Sequence, residues 1–503
     1  MSVCGIFIIL VTMVFTPENI LLIGSILLFI SIIASKTSFK LGVPTLILFL
    51  IVGMLAGSDG FGGIVFNDPE TAKLLGVIAL TFILFSGGLD TKWESVKPTV
   101  KNALSLSTIG VLITAGLVGL FSSYLLGFTF LESLLLGAIV SSTDAAAVFS
   151  ILRSRKVGLK GFVRPLLELE SGSNDPTAYF LTISLIHLLQ NPNDSIMSLV
   201  PKFFIGMTLG LLMGYAFGKL MVWMLNRIKL DIEGLYPVLV LSLVFFAFSF
   251  TDTIGGNGFL AVYVSAIILG NSNFVHKKSL IRFYDGQAWL MQIIMFLTLG
   301  LLVFPQHLPP ILGEGVLIAL FLIFVARPVA VFISLAFSKD LNVRKKLFIS
   351  WVGLRGAAPI VFATYPLIAG IAYADTIFHL VFFISASSVL LQGTTLPIMA
   401  RWLHVSVPEK VKRRFPLDLE LKDNSKSELI ELDVPEGSKA IGKAVMELRL
   451  PRTSMIVLIH RHGKYITASG ETIIEPFDHL LVMADNKESV DKVYHSFGIT
   501  VPH

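Results

Sequence analysis

Two neighbouring apolar stretches carry acidic residues at positions where a membrane-spanning segment should exclude them. Residues 131–152 contain Asp144. Residues 166–189 contain Glu170 and Asp175, with Glu168 near the edge of the stretch. A carboxylate near the middle of a bilayer costs at least ~2.5 kcal/mol even on insertion-based scales, so each one needs a polar cavity, a partner or a cation. Such groups can bind and release protons and cations, so these residues predict an ion pathway.

The composition sets the class of protein that surrounds these residues. The chain has 503 residues, of which 54% are hydrophobic and 15% charged, and its mean hydropathy is +0.80. These values indicate a polytopic membrane protein with a modest soluble part. The single cysteine, Cys4, excludes an intramolecular disulfide framework and a cysteine-rich metal site.

Apolar runs recur along most of the chain. The first fifteen residues are apolar but too short to span, so we interpret residues 1–18 as a dispensable or interfacial N-terminal extension, with a signal peptide as the alternative. From residue 19 onward the runs predict thirteen transmembrane helices. They cover residues 19–35, 41–56, 72–88, 104–127, 131–152, 166–189, 199–225, 235–250, 258–271, 288–304, 311–337, 347–371 and 376–402.

The loops between these runs predict the orientation of the chain, because Lys and Arg collect on the cytoplasmic side. Every second loop is basic, whereas the loops between them hold mainly acidic, Asn, Pro and Gly residues. The basic loops contain Lys36 and Lys40; Lys92, Lys97 and Lys101; Arg153, Arg155, Lys156, Lys160 and Arg164; Arg227 and Lys229; Lys277, Lys278 and Arg282; and Lys339, Arg344, Lys345 and Lys346. The N-terminus is therefore predicted outside and the C-terminus in the cytoplasm.

An odd number of spans favours a division into six, one and six, which an inverted repeat joined by a linking helix would give. Helices 5 and 12 then correspond, and both are interrupted by small and polar residues, at 141–147 and 353–359. Two corresponding interrupted helices are typical of an ion site at the membrane midplane of a transporter. Close packing through small residues is the alternative, but packing needs neither Asp144 nor Arg355.

These residues resemble a known family. The pair Thr143-Asp144 and the sequence Glu-Ser-Gly-Ser-Asn-Asp-Pro at 170–176 resemble the monovalent cation:proton antiporters of the NhaP type. The sequence Ser-Thr-Asp-Ala-Ala-Ala-Val-Phe at 142–149 is most similar to the potassium/proton branch, because sodium exchangers more often place a proline after the aspartate. The resemblance covers residues from about 19 to 404.

The resemblance implies a role for each residue of the site. Asp175 would be the carrier that binds either a proton or a dehydrated cation. Ser171, the backbone carbonyl of Thr143, and Asp144 directly or through water would supply further oxygen ligands for K⁺ or Na⁺. Asn174 leaves one titratable group at the Asn-Asp pair, which resembles the electroneutral branch that exchanges one cation per proton. Helix capping is the alternative role for Asp175 and for Asp144.

Four further charged residues have predicted roles, two of them from the same resemblance. The family places an arginine opposite Glu170, and Arg327 is the matching residue, which predicts a buried structural ion pair. Arg355 would supply fixed positive charge near the empty site, with capping of helix-end carbonyls as the alternative. Asp90 lies at the predicted cytoplasmic end of the third span, where it either lines the entrance or is simply solvated.

The chain changes character beyond the last apolar run. Residues 405–428 are rich in charge and predict a linker, and residues 429–503 predict a small cytoplasmic α/β domain. The expected order is a strand at 429–434, a helix at 440–447, strands at 454–460, 464–468 and 479–484, and a helix at 487–497.

This domain resembles the C-terminal half of the regulators of potassium conductance, the TrkA-C (RCK_C) domain, through residues 437–443 and Leu450-Pro451. Such domains dimerise and bind small ligands between protomers, so the resemblance implies a homodimer and a regulatory ligand. A cyclic dinucleotide such as cyclic di-AMP is one candidate, with Arg452, Arg461 and His462 as donors to its phosphates. An unknown small effector and a purely structural role are the alternatives.

The sequence as a whole indicates a secondary antiporter of K⁺ or Na⁺ against H⁺ in a bacterial plasma membrane, with the lipid bilayer as its environment. We expect neither enzymatic activity, nor a cofactor, nor a nucleic-acid partner. A ligand-gated cation channel is the alternative from another class, but it predicts pore loops with carbonyl filters, and the sequence has no such segment. A receptor on an antiporter scaffold would lack the buried carboxylates.

Overall fold

A computed structural model describes residues 17–41, 45–58, 60, 62–307, 309–338, 340–408, 428–448, 450–451, 453–461, 464–485 and 487–499. The chain divides into two compact units, Met1–Lys410 and Val411–His503. Almost all of the predicted N-terminal extension 1–18 and most of the predicted linker 405–428 lie outside the described residues.

The first unit is almost entirely helical. Its elements are α1 (Pro17–Leu41), α2 (Thr45–Ala56), α3 (Pro69–Asp90), α4 (Trp93–Leu126), α5 (Phe130–Ile139), α6 (Ala145–Ser154), β1 (Val157–Leu159), α7 (Val163–Gln190), α8 (Leu199–Arg227), α9 (Leu235–Thr253), α10 (Gly258–Gly270), α11 (Lys277–Leu302), α12 (312–334), α13 (Val343–Trp351), α14 (Ala357–Ile368), α15 (Ala374–Trp402) and β2 (Ser406–Pro408). Both α4 and α12 contain one π-helical turn, at Leu106–Gly110 and Leu322–Ala326 respectively.

Seven helical segments of the described chain are long and apolar enough to cross a membrane, namely those of α3, α4, α8, α9, α11, α12 and α15. The other helices are shorter or, like α7, carry acidic residues that lower their hydropathy. Within the described residues, each predicted run lies mainly on one helix or on a pair of short helices. The total of thirteen spans and the repeat remain predictions.

The helix α11 is longer than predicted, because it begins at Lys277 and not near residue 288. Its first turns include charged residues such as Asp285. A search for apolar runs detects only the part of a helix that is apolar, whereas the helical backbone continues beyond it.

The helices pack in two groups. In the first group, which we call the site bundle, α4 to α7 pack with α12 to α15. In the second, the flanking bundle, α2 and α3 pack on α11, α3 also packs on α10, α8 and α9 pack on α10, and α1 packs on α2. Contacts of α14 with α3 and α11, and of α7 with α10, join the two bundles.

Two interruptions lie at the centre of the site bundle. The helix α5 ends at Ile139 and α6 begins at Ala145, while α13 ends at Trp351 and α14 begins at Ala357. Both gaps overlap the stretches 141–147 and 353–359 that the sequence predicts as interruptions. Beyond α6, the short strand β1 pairs antiparallel with β2, which follows α15.

The second unit contains a four-stranded antiparallel sheet in the order β3-β6-β4-β5. Its strands are β3 (Glu428–Asp433), β4 (Ser454–Arg461), β5 (Lys464–Thr467) and β6 (His479–Ala484), and the helix α16 (Lys487–Phe497) packs against it. The predicted helix at 440–447 is wrong. Gly442 has a φ of +78°, which an α-helix does not allow, and only a 3₁₀ turn forms at Val445–Leu448.

Candidate ion-binding site

The two interruptions are joined to each other by their backbones. Asp144 is the N-cap of α6, with an extended backbone (φ −114°, ψ 96°) and a side-chain oxygen that accepts from the Ala147 amide at 3.0 Å. This is the usual role of aspartate before a helix. The amide of Asp144 in turn donates to the carbonyl of Leu354 at 2.8 Å, within the second interruption. Backbone groups that would be orphaned at one helix end are therefore satisfied by the other.

Glycine at the second interruption permits this close approach. A Cβ atom on Gly356 would lie 2.7 Å from Cβ and Cγ of Asp144. A Cβ atom on Gly353 would lie 2.6 Å from Nε of Arg327. These positions tolerate no side chain without movement of their neighbours, so the small residues recognised in the sequence have a steric role.

Arg355 is completely buried between the two interrupted helices. Its Nη1 donates to the carbonyls of Ser141 and Ser142, at 2.7 and 2.8 Å, which lie just after the end of α5. The guanidinium thus compensates the negative end of the α5 dipole, which is the alternative role considered for this residue. Its Nε and Nη2 have no hydrogen-bond partner among the described residues.

Asp175 lies in the middle of α7, directly before Pro176, and only 6% of its surface is exposed. The hydroxyl of Ser142, from the first interruption, donates to its carboxylate. Pro176 has no amide hydrogen, so it cannot make the usual bond to the carbonyl four residues earlier, Gly172. The carboxylate therefore lies where α7 is locally weakened and where it meets the gap between α5 and α6.

The other predicted ligands form a connected polar group around the same gap. The hydroxyl of Ser171 donates to the carbonyl of Thr143 at 2.8 Å and accepts from the amide of Ala145 at 3.0 Å. The side-chain Nδ2 of Asn174 donates to the hydroxyl of Thr143 at 2.5 Å. The side-chain oxygen of Asn174 is buried and has no partner among the described residues. The structure therefore brings all five residues of the predicted ion site, Asp144, Thr143, Ser171, Asn174 and Asp175, to the crossing of α7 with the first interruption.

Glu170 and Arg327 lie in direct contact although 157 positions separate them. The Nη2 of Arg327 donates to a carboxylate oxygen of Glu170 at 2.5 Å, and both side chains are buried. Arg327 directly follows the π-helical turn of α12, a local widening that frequently accompanies functional positions. Each charge thus has an opposite charge as its partner.

A cavity of about 320 Å³ extends from Asp175 towards one end of the bundle. Near the site it is lined by Thr143, Asp144 and Ser171. At helix ends its lining includes Asp90, Arg153, Arg164, Glu168 and Asp285. Arg164 and Glu168 form an ion pair at 2.9 Å. The cavity therefore connects Asp175 with the end of the bundle that carries basic loops.

An aromatic cluster lies on the opposite side of Asp175. Tyr179 is one helical turn further along α7, and its ring packs edge-on against Phe259 at 5.0 Å and Tyr365 at 5.7 Å. Phe362 packs against both Tyr179 and Phe259. The amine of Lys73 lies 4.5 Å from the centre of the Tyr365 ring. These large side chains fill the space between α7, α10 and α14.

Some residues of the site did not emerge from the sequence analysis. Ser142 appears there only as part of the family resemblance, whereas its hydroxyl contacts the carrier candidate directly. Asn257 caps α10 and donates to the carbonyl of Pro176 at 2.8 Å. The hydroxyl of Ser388 accepts from the amide of Arg355 at 3.0 Å and donates to Gln392. A polar residue next to a glycine pair, as in Gly255-Gly256-Asn257, is the one sequence signal that marks Asn257.

In the second unit, the side chain of Arg461 forms ion pairs with carboxylates of its own domain. Its Nε and Nη2 donate to the carboxylate of Asp478 at 2.8 and 2.7 Å, and its Nη1 donates to Glu475 at 2.6 Å. The bond to Asp478 raises the pKa of Arg461. This geometry gives Arg461 a structural role and argues against it as a phosphate ligand. Arg452 and His462 lie outside the described residues.

Comparison with known proteins gives two family matches. The sodium/hydrogen exchanger transmembrane family matches residues 3–402, and the TrkA-C domain matches residues 429–498. A protein of Shewanella sp. strain ANA-3 named K(+)/H(+) antiporter NhaP2 is 39% identical over 476 residues, which are 93% of this chain and 82% of the relative. A protein of Alkalimonas amylolytica named K(+)/H(+) antiporter NhaP is 39% identical over 92% of this chain and 81% of its own length.

A solved structure has the same fold. The sodium proton antiporter MjNhaP1 from Methanocaldococcus jannaschii aligns with a TM-score of 0.67 and 25% identity over 77% of this chain and 99% of its own. The resemblance that the acidic motif indicated is thereby confirmed, together with the TrkA-C domain. With interrupted helices that cross beside a buried aspartate, and with relatives that align over most of its length, the chain belongs to the sodium/hydrogen exchanger family of cation/proton antiporters.

Proposed function

We propose that this protein exchanges K⁺ for H⁺ across a bacterial plasma membrane, with Asp175 as the group that carries either ion. The observation that supports this most directly is the position of Asp175, which is buried, contacts the hydroxyl of Ser142 and lines a cavity. Relatives that are 39% identical over most of this chain are named K⁺/H⁺ antiporters. Exchange of Na⁺ is the alternative, since the structural relative MjNhaP1 is a sodium proton antiporter.

Exchange would follow from competition at one carboxylate. A protonated Asp175 is neutral and has no charge to attract a cation. A deprotonated Asp175 must have its charge compensated in this buried site, and an alkali cation with several hard oxygen ligands can do so. Thr143, Ser171, Asn174 and Asp144 lie around the gap where such ligands are needed. Proton and cation therefore exclude each other, which couples their movements.

Alternating access would result from movement of the site bundle relative to the flanking bundle. The cavity gives Asp175 access from the end with basic loops, which the charge pattern assigns to the cytoplasm, while the aromatic cluster around Tyr179 closes the other side. The described arrangement thus corresponds to an inward-facing state. Movement of the site bundle against the flanking bundle would close the cavity and open the far side.

The finer architecture belongs to the same proposal. We propose thirteen spans arranged as an inverted repeat of six, one and six, with the N-terminus outside and the C-terminus in the cytoplasm. The site bundle then consists of the last three spans of each repeat, α4 to α7 and α12 to α15, and α8 links the two halves. The pairing of the α5–α6 interruption with that between α13 and α14 supports this arrangement.

One cation would be exchanged for one proton. Of the neighbouring pair Asn174 and Asp175 only the aspartate titrates, and Asp144 is engaged as the cap of α6. An exchange of one charge for one charge moves no net charge. If exchange driven by a fixed proton gradient responds strongly to an imposed membrane voltage, this stoichiometry is wrong.

The experiment that tests the function uses purified protein reconstituted into liposomes. We expect K⁺ added outside to drive proton flux that a pH-sensitive dye reports, with Rb⁺, Na⁺ and Li⁺ compared at equal concentration. Liposomes without protein measure the passive leak. Flux with Na⁺ and none with K⁺ would favour the sodium alternative, and no cation-dependent proton flux would contradict antiport.

The C-terminal unit would regulate this exchange as part of a homodimer. A domain without membrane contacts can change transport only if its ligand prefers one conformation of the antiporter. TrkA-C domains bind small ligands, and a cyclic dinucleotide remains one candidate, without Arg461 as its ligand. Through such regulation the protein would serve pH homeostasis.

A further inference from the structure

Two histidines and an aspartate meet at the end of the bundle that lies opposite the cytoplasmic cavity. His307 closes the short 3₁₀ turn Pro305–His307 that follows α11, while Asp375 and His379 lie in the first turns of α15. A ring nitrogen of each histidine and a carboxylate oxygen of Asp375 lie within 4.8 Å of one another. The proposed exchange mechanism uses none of the three residues.

The separations within this cluster suit a metal ion better than direct hydrogen bonds. Oδ2 of Asp375 lies 3.4 Å from Nδ1 of His307, and the ring centres of His307 and His379 lie 5.0 Å apart. The oxygen–nitrogen distance exceeds the usual 2.7–3.2 Å of an N–H···O bond. Two ligands on one tetrahedral zinc ion, each about 2.0–2.2 Å from the metal, lie about 3.4 Å apart.

One ring nitrogen of His379 is available to bind a metal ion. The side chain is almost completely buried, and its Nδ1 lies 2.8 Å from the backbone carbonyl of Asp375. Its Nε2 is buried and has no hydrogen-bond partner among the described residues. A buried polar atom without a partner costs free energy. Metal-binding histidines usually have one nitrogen bonded to a carbonyl or carboxylate and the other available to the metal.

Asp375 and His379 also have the spacing that metal sites on helices use. Residues four positions apart lie on the same face of a helix. Asp375 and His307 are more than half exposed, with side-chain exposures of 65% and 54%, so an ion can reach the cluster from solvent. Imidazole and carboxylate ligands suit divalent transition metals, and three protein ligands leave a fourth position for water.

We propose that His307, Asp375 and His379 form a binding site for a divalent transition-metal ion such as Zn²⁺ on the extracellular face of the protein. The site joins the segment after α11, a helix of the flanking bundle, to α15 of the site bundle. A bound ion therefore restrains the movement of the two bundles. This consequence rests on the proposed alternating access, whereas the binding of the metal does not.

Metal binding is tested first on the purified full-length protein, without an affinity tag. We expect isothermal titration to show one Zn²⁺ per chain, and Co²⁺ to give the visible absorption of a tetrahedral complex. The substitutions His307→Ala and Asp375→Asn should each weaken Zn²⁺ binding at least tenfold. Both side chains are largely exposed, so these variants should remain folded, which circular dichroism checks.

The matched control is His187→Ala. His187 is also a half-exposed histidine beside a carboxylate, with its Nε2 2.9 Å from Asp194, but among the described residues no third side chain completes a metal-binding group there. Its replacement should leave the Zn²⁺ affinity unchanged. The proposal would be overturned if His307→Ala and Asp375→Asn bound Zn²⁺ as tightly as the unmodified protein. It would also be overturned if His187→Ala lost as much Zn²⁺ affinity as they do.

The effect on movement is tested in liposomes whose proteins have their extracellular face outward. We expect external Zn²⁺ to slow exchange in the unmodified protein severalfold and to leave exchange in His307→Ala unchanged. Inhibition of both proteins to the same extent, or of neither, would refute the restraint. Absence of exchange before metal is added would instead contradict the proposed function, so the two failures can be distinguished.

Discussion

Asp144, which is half-buried, and Asp175, which is buried, both line the cavity, but their partners differ. The side chain of Asp144 accepts from the amide of Ala147 and holds the first turn of α6. Asp175 accepts from the hydroxyl of Ser142, a group that can rotate and offer its oxygen to a cation instead. Asp144 is thus bonded to the helix backbone, whereas Asp175 is bonded to a hydroxyl that can turn away when a cation binds.

Replacement of Asp175 by Asn should abolish exchange. The amide has nearly the same shape, but it takes up no proton at neutral pH and has no negative charge to attract a cation, so the alternation between the two ions is lost. Proton flux in liposomes measures the effect, and gel filtration checks that the variant has the size of the unmodified protein. Asp194→Asn, at an exposed loop position, is the control. Retention of more than a few per cent of the activity in Asp175→Asn would contradict its role as the carrier.

At Asp144 two replacements separate capping from ion binding. Asn also caps helices, so Asp144→Asn should keep the stability of the protein, raise the KM for the cation and retain part of the turnover. Asp144→Ala loses the cap as well, at a cost of about 1 kcal/mol. Transport kinetics and thermal unfolding of both variants measure this difference. An unchanged cation dependence in Asp144→Asn would show that the carboxylate acts through the structure alone.

Glu170 and Arg327 should behave as a coupled pair. Removal of one partner leaves a buried charge without compensation, and such a change costs about 3–5 kcal/mol. We expect Glu170→Gln and Arg327→Met each to lower the melting temperature sharply and the double variant to recover much of the loss. Thermal unfolding in detergent gives the melting temperatures of the unmodified protein, the two single variants and the double variant, which together form a double-mutant cycle. Additive losses in the double variant would show that the two charges do not stabilise each other.

At the scale of elements, the crossing of the interrupted helices explains how polar backbone is kept inside a membrane. Unpaired amides and carbonyls in a bilayer core are costly unless protein groups satisfy them. Here the carbonyls after α5 accept from Arg355, α6 is capped by Asp144, and the amide of Asp144 donates to the other interruption. Each broken helix therefore depends on the other.

Gly356→Ala tests this dependence. The added methyl group would collide with Asp144 and separate the two interruptions, so we expect most of the exchange activity to be lost even in protein that still folds. Gly116→Ala in α4 is the matched control, because a methyl group there meets no atom within 4 Å. Alanine at Gly116 should leave exchange unchanged, and proton flux per folded protein compares the two variants. Equal activities would show that the helices do not need this close approach.

At the scale of the whole molecule, the end of the membrane unit is attached to the site bundle. Strand β2 follows α15 and pairs with β1, which lies between α6 and α7. The amide of Lys160 donates to the carbonyl of Val405 at 2.9 Å and extends the connection. The segment that leads towards the C-terminal unit is therefore bound to the loop between the helix that Asp144 caps and the helix that carries Asp175.

Truncation after Pro416 should separate transport from regulation. The shortened chain keeps both bundles and the β1–β2 pair, so we expect it to fold and exchange cations. Its activity should no longer respond to cyclic di-AMP, and its pH profile should differ from that of the full chain. Proton flux measured at several pH values, with and without cyclic di-AMP, compares the two proteins. A folded, dimeric truncated protein without exchange would show that the tail takes part in transport itself.

The class of the protein and the position of its candidate site could both be inferred from the sequence alone. Acidic residues within apolar runs are costly enough to mark a function, and Asp144, Glu170 and Asp175 were found for that reason. Small residues marked the interruptions because they depart from an apolar pattern. These signals are local, since each can be read within a window of about 20 residues, the length of a membrane span.

The contacts between individual atoms, in contrast, depend on how the helices pack. Ser142 lies 33 positions from Asp175, and the carbonyl of Ser141 lies 214 positions from Arg355, so no local pattern relates them. The cluster of His307, Asp375 and His379 likewise joins the segment after α11 to α15. Such contacts depend on how helices pack and on where their ends fall. The physical reason is that a hydrogen bond or a metal ion requires distances of 2–3 Å, which only the packed chain fixes.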